Sequence, residues 1–132
     1  MKAINIKEKF TKFSKNWHPH QVAVVDDMQV ILAKLKGEFV WHSHDNEDEL
    51  FQVIKGTLYM QFRGSPDDAG SEDGIRTEVV NSGEFIVVPK GVEHNPTTKN
   101  EEEVHVLLFE KLSTAHTGNV EHERTQTEYP KI

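Results

Sequence analysis

Three imidazoles and one carboxylate stand in this chain at spacings suited to holding a divalent metal. His42, His44 and Glu49 share one segment, and His94 lies on a later one. Side chains two apart on an extended strand share a face, so Val40, His42 and His44 point one way while Phe39, Trp41 and Ser43 point the other. Asp45-Asn46-Glu47-Asp48 has turn composition. Glu49 to Ile54 reads as a returning strand on which Glu49, Phe51 and Val53 face inward. A hairpin of this kind brings the carboxylate to the two imidazoles.

The later segment, Gly83 to Val88, is an apolar strand closed by Pro89-Lys90-Gly91, with His94 just beyond the turn. It supplies a third imidazole from elsewhere in the chain. With eight histidines present, a lone H-x-H is a weak signal, and His18-Pro19-His20 provides a second one. That copy lacks a following glutamate, and its proline disfavours a central strand position, so it reads as structural or terminal.

Taken together the two segments resemble the signatures of the cupin superfamily, roughly G-x5-H-x-H-x3,4-E-x6-G and G-x5-P-x-G-x2-H-x3-N. Two positions depart from the pattern. Four residues rather than five separate Gly37 from His42, and Thr98 stands at the closing Asn position, with Asn95 directly after His94. The resemblance implies a small single antiparallel β-barrel of the jelly-roll type in which His42, His44, Glu49 and His94 hold one metal. Three imidazoles and a carboxylate leave one or two positions open on a five- or six-coordinate ion. Fe, Mn, Ni, Co and Zn all accept these donors. The family's range includes dioxygenases, sugar and sugar-acid isomerases, decarboxylases and binding proteins, and fold alone does not choose among them. A small enzyme acting on a compact, oxygen-rich metabolite by dioxygenase or isomerase chemistry, with Glu49 as its catalytic residue, is the leading expectation. The alternative is a non-catalytic barrel that captures a small ligand through the metal.

The elements around these residues agree with one domain. Short β-branched runs at 22–25, 28–36, 39–44, 49–54, 57–63, 75–80, 84–88 and 104–110 have hairpin spacing, which suggests an all-β sandwich or barrel. Residues 21–111 form this expected barrel, after an N-terminal helix and arm (1–20) and before a polar C-terminal tail (112–132). Ile6, Phe10, Phe13 and Trp17 recur at helical spacing, so a short amphipathic helix is expected to pack on the domain rather than on a membrane. Residues 65–74 read as an acidic, solvated hairpin end. His116 and His122, in the tail, read as surface residues. His105 on the last strand shares a face with Leu107 and Phe109, and outward is favoured over inward, where it would act as a base beside the metal.

The chain has 132 residues, no cysteine and a formal charge of −7. Without thiolates, disulfides and iron–sulfur clusters are excluded, and any metal takes nitrogen and oxygen donors. The acidic balance argues against nucleic acid as a partner. No run approaches a membrane span, so a cytoplasmic protein is expected. Phe39 and Trp41, read as outward on a barrel strand, suggest a homodimer that covers them.

Overall fold

A computed structural model of the chain describes residues 1–64 and 74–132. The expected acidic hairpin end at 65–74 falls, apart from Gly74, outside the described residues. A five-residue helix, α1 (Ile6–Phe10), precedes eight strands: β1 (His20–Val25), β2 (Met28–Leu35), β3 (Glu49–Lys55), β4 (Thr57–Arg63), β5 (Ile75–Asn81), β6 (Phe85–Val88), β7 (Glu93–Thr97) and β8 (Val104–Lys111). They form a five-stranded sheet in the order β1-β2-β8-β3-β6 and a three-stranded sheet in the order β5-β4-β7, and every paired neighbour is antiparallel. This is the all-β jelly-roll arrangement, with the sheets stacked as layers and not closed into a barrel.

Alternation along the strands builds the core between the layers. Phe51 and Val53 on β3, Val104, Val106 and Leu108 on β8, and Leu58, Met60 and Phe62 on β4 are all buried. Each alternates with a less buried neighbour, the period-two pattern of a sheet with one face packed. The inward reading of Glu49, Phe51 and Val53 therefore holds.

One expected strand is absent and one unexpected strand takes its place. Residues 39–44 form no strand but run beside β7, touching it through the isolated bridges Glu38↔Thr97 and His42↔His94. Four steps along one side span three on the other, so the pairing slips by one. Pro96 helps to break the ladder: it accepts from Phe39 N–H at 3.1 Å but has no N–H to return. The motif's two departures meet at the start of this segment. Gly37 N–H donates to Thr98 Oγ1 at 2.7 Å, and Thr98 N–H donates to Gly37 O at 2.9 Å.

The N-terminal helix is shorter than the apolar spacing suggested. It is capped by Asn5, whose Oδ1 accepts from Glu8 N–H at 3.0 Å, and it ends at Phe10. Phe13 and Trp17 lie beyond it, and Trp17 has a left-handed backbone with φ of 57°. All three aromatics still dock on the domain. Phe10 stacks on His105, Phe13 on His20, and Trp17 on Phe39 at 4.7 Å while its Nε1–H donates to Lys36 O. The second H-x-H is structural, since His20 opens β1 with its Nδ1 2.7 Å from His18 O. His105 lies on the outer face of β8, as favoured, beneath Phe10 and beside Glu103.

The surface reading of Phe39 and Trp41 is corrected. Phe39 is half-buried against the core, and Trp41 is half-buried beneath the Arg63 guanidinium at 4.2 Å. The expected dimer thus loses the residues that suggested it. Among the described residues no helix is long and apolar enough to cross a membrane.

Candidate metal centre

Two layers and one irregular segment bring the four donors together. Glu49 starts β3 in the larger sheet, His94 lies on β7 in the smaller one, and His42 and His44 come from the segment beside β7. His42 is pinned to His94 by reciprocal backbone hydrogen bonds of 3.0 and 2.9 Å, and Gly91 N–H donates to His44 O at 2.7 Å. Each of the four is at most 5% exposed.

Their ligand atoms all lie within 4.8 Å of one another. Donors on opposite sides of an ion at ~2.2 Å would stand about 4.4 Å apart, so the cluster has the right size for a single ion. Nδ1 of His42 lies 2.8 Å from Val40 O, and Nδ1 of His94 lies 2.9 Å from Val92 O. A proton on Nδ1 donated to a carbonyl leaves Nε2 as the lone-pair donor, the tautomer a metal requires. His44 Nε2 lies 2.7 Å from Glu49 Oε1 and His94 Nε2 lies 3.3 Å from it, but neither contact has hydrogen-bond alignment. His44 Nε2, His94 Nε2 and Glu49 Oε1 are thus buried polar atoms without a hydrogen bond. Such atoms are costly unless something else satisfies them, and a cation at their centre would do so.

The proton affinities follow from this crowding. Burial, with His94 beside it, pushes His42 down to about 3, so it is a neutral imidazole at physiological pH. Burial also acts to lower His44, but the Glu49 carboxylate overrides it, with Glu47 and Asp45 adding to the effect, and the net shift is upward. Burial raises Glu49, and His44 and His94 reverse that, holding the carboxyl well below the usual range. Without a metal, His44 and Glu49 share the charge as an ion pair.

Behind Glu49 lies a buried carboxyl that the motif does not contain. Gln29, Glu110 and Glu49 are register partners across β2, β8 and β3, so they form one polar rung in an otherwise apolar sheet. Gln21 Nε2–H donates to Gln29 Oε1 at 2.9 Å, and Gln29 Nε2–H donates to Glu110 Oε1 at 3.4 Å. Burial, then the charge of Glu49, raises Glu110 well above the carboxylate range, which favours its neutral, protonated form. Its inward position was readable from strand parity, since Val104, Val106 and Leu108 fix the face on which Glu110 falls.

The tail corrects the reading of His116. Residues 112–132 fold back over the metal cluster. Asn119 exchanges hydrogen bonds with the Ser43 backbone, Arg124 Nη1 donates to Glu38 O, and Gln21 N–H donates to Pro130 O. Gly118 packs so closely that a Cβ there would stand 2.1 Å from Ser43 O and 3.2 Å from His42 Cδ2. His116 is half-buried against Phe39 and Tyr129 and lines a cavity with His42 and Glu49. His122 is exposed, as expected.

Known proteins place this arrangement. YdbB of Bacillus subtilis (strain 168), itself described as uncharacterized, is 33% identical over 92 residues, which cover 70% of this chain and 66% of that protein, just under two thirds of its length. A cupin-2 domain containing protein from Shewanella frigidimarina superposes with a TM-score of 0.70 at 38% identity, over 82% of this chain and 93% of that one. Oxalate oxidase in complex with the substrate analogue glycolate superposes with a TM-score of 0.58 at 19% identity, over 76% of this chain and 56% of that one, a likeness of fold alone. The Cupin_2 model, a cupin domain, matches residues 28–110, from the first residue of β2 to Glu110 on β8, and on that match the chain belongs to the cupin family.

Proposed function

We propose that this chain is a metal-dependent enzyme that acts on a small oxygen-bearing metabolite by dioxygenase or isomerase chemistry. The observation that carries the reading is the convergence of His42, His44, Glu49 and His94, with three of their polar atoms buried and without a hydrogen bond. A divalent ion held there would supply Lewis acidity to an oxygen of the substrate.

The chain's own residues set the conditions for that chemistry. His42, His44, His94 and Glu49 are the four ligands, and the Val40 and Val92 carbonyls orient two of the rings. Phe51, Leu108 and Phe39 wall the adjacent cavity and keep water from the reacting centre. Glu49, which also lines that cavity, is the carboxylate that would accept or return a proton. Glu110, a neutral acid behind it, holds Glu49 in place without adding a second charge.

Glycolate, the analogue bound by the oxalate oxidase of like fold, is one compact oxygen acid to include among the substrates tested. Protein loaded with iron or manganese should consume oxygen with, or isomerise, at least one member of a panel of diketones, oxygen acids and sugar acids. With metal held at saturation, Glu49→Gln should lower turnover by at least about a hundredfold while weakening binding of a substrate analogue far less. Tight binding of a panel member that is recovered unchanged with every metal would contradict catalysis and support a ligand-capturing cupin.

A further inference from the structure

Beside the metal cluster is a cavity of about 40 Å³ bounded by Trp17, Leu35, Phe39, Phe51 and Leu108, with His42, Glu49 and His116 as its titratable edge. A water needs on the order of 10–15 Å³ by this measure, so the space takes a ligand of roughly three or four heavy atoms. Two of the three polar side chains belong to the cluster. His116 does not, and it arrives from the C-terminal tail.

The Gln126 backbone N–H donates to His116 Nδ1 at 3.0 Å, so in the neutral ring the proton lies on Nε2. Among the described residues Nε2 forms no hydrogen bond with a protein group. The ring is held by its neighbours, tilted against Phe39 at 5.2 Å and edge-on to Tyr129 at 5.9 Å. Gly118, two residues on, is wedged against Ser43 and His42, which fixes the turn that carries it. Burial lowers His116 to about 4, and its neutral, singly protonated form therefore prevails at physiological pH.

We infer that His116 Nε2–H is a substrate-binding donor, holding one oxygen of a short monocarboxylate whose apolar end fills the cavity beside the metal. The inference rests on the metal-centre reading above and narrows its substrate class. A second carboxylate would face Leu35, Phe51 and Leu108 with no donor to meet it, and burying it unpaired is costly. The site therefore accepts acetate, of four heavy atoms, in preference to a dicarboxylate.

The test uses full-length protein loaded with Co(II), with metal content measured first and acetate, propionate and oxalate titrated against the cobalt absorption. His116→Phe keeps the aromatic packing and removes the donor. It should bind the same amount of cobalt as wild type but acetate about ten- to a hundredfold more weakly, the range expected for loss of a charge-assisted hydrogen bond. His116→Gln, which restores an N–H donor, should recover part of the loss. Unchanged acetate affinity in a fully loaded His116→Phe protein would overturn the role of His116. Oxalate binding wild type as tightly as acetate would overturn the monocarboxylate class. Failure of wild type itself to take up cobalt would instead refute the metal centre, a result separate from both.

Discussion

His44 carries the proton that a metal must displace, and Glu49 is the carboxylate that holds it there. In the metal-free protein Glu49 is held low, so its contribution to stability is present above its ordinary value of 4.5 and is lost as pH falls through the depressed folded value. His44 is held high, so its contribution is complete below its ordinary value of 6.5 and is lost as pH rises through the raised folded value. Metal binding requires His44 without its proton, whereas His42, at about 3, has none to lose. Affinity measured by competition with a chelator should therefore rise with pH by up to about tenfold per unit until His44 is deprotonated, then level off, with about one proton released per metal. Affinity independent of pH across the neutral range would contradict the ion pair. Glu110 gives a second contrast. Because its carboxyl is neutral, Glu110→Gln should change stability in denaturant melts by less than about 1 kcal/mol. Glu110→Ala, which leaves Gln29 without its acceptor, should cost about 1–3 kcal/mol. Equal losses in the two variants would show that the carboxyl is charged or that Gln29 has no need of it.

The C-terminal tail is the element on which the ligand side of the site depends. Gly118 has φ of 54°, and a side chain there would collide with Ser43 O. Gly118→Ala should cost at least ~1 kcal/mol through backbone strain and should also expose the tail to protease well before the sheets unfold. A tail as resistant to cleavage as in wild type would contradict the close docking. This element was also the least legible in the sequence. Its contacts are backbone hydrogen bonds to Ser43, Glu38 and Gln21, which composition does not encode, and so His116 reads as a surface residue until the fold is seen. The strands were readable because β3, β4 and β8 alternate strictly. The exchange of a strand at 39–44 for β7 was not, because an apolar run looks the same whether or not its ladder is broken by a one-residue slip and a proline on the facing strand. The four residues of the cluster were legible for a different reason, since the turn at 45–48 and the Pro-x-Gly turn set their spacing. Glu110 lay between these cases, with its parity visible and its role hidden until register placed it beside Glu49.

At the scale of the molecule, the two sheets act as jaws whose open edge is filled by the metal cluster and roofed by residues 112–132. The larger sheet contributes Glu49, the smaller contributes His94, and the slipped segment between contributes His42 and His44, so an ion at their centre would tie three separate parts of the chain together. Anything that binds the folded state alone stabilises it by mass action, and metal loading should therefore raise the melting temperature of wild type but not of His94→Ala. The direct test of the account is elemental analysis of protein purified without chelator, offered Fe, Mn, Ni, Co or Zn and then desalted. Wild type should hold close to one transition-metal ion per 15.1-kDa chain, and His94→Ala and Glu49→Gln should retain it at least about tenfold more weakly. Equal metal content in wild type and both variants would contradict the account.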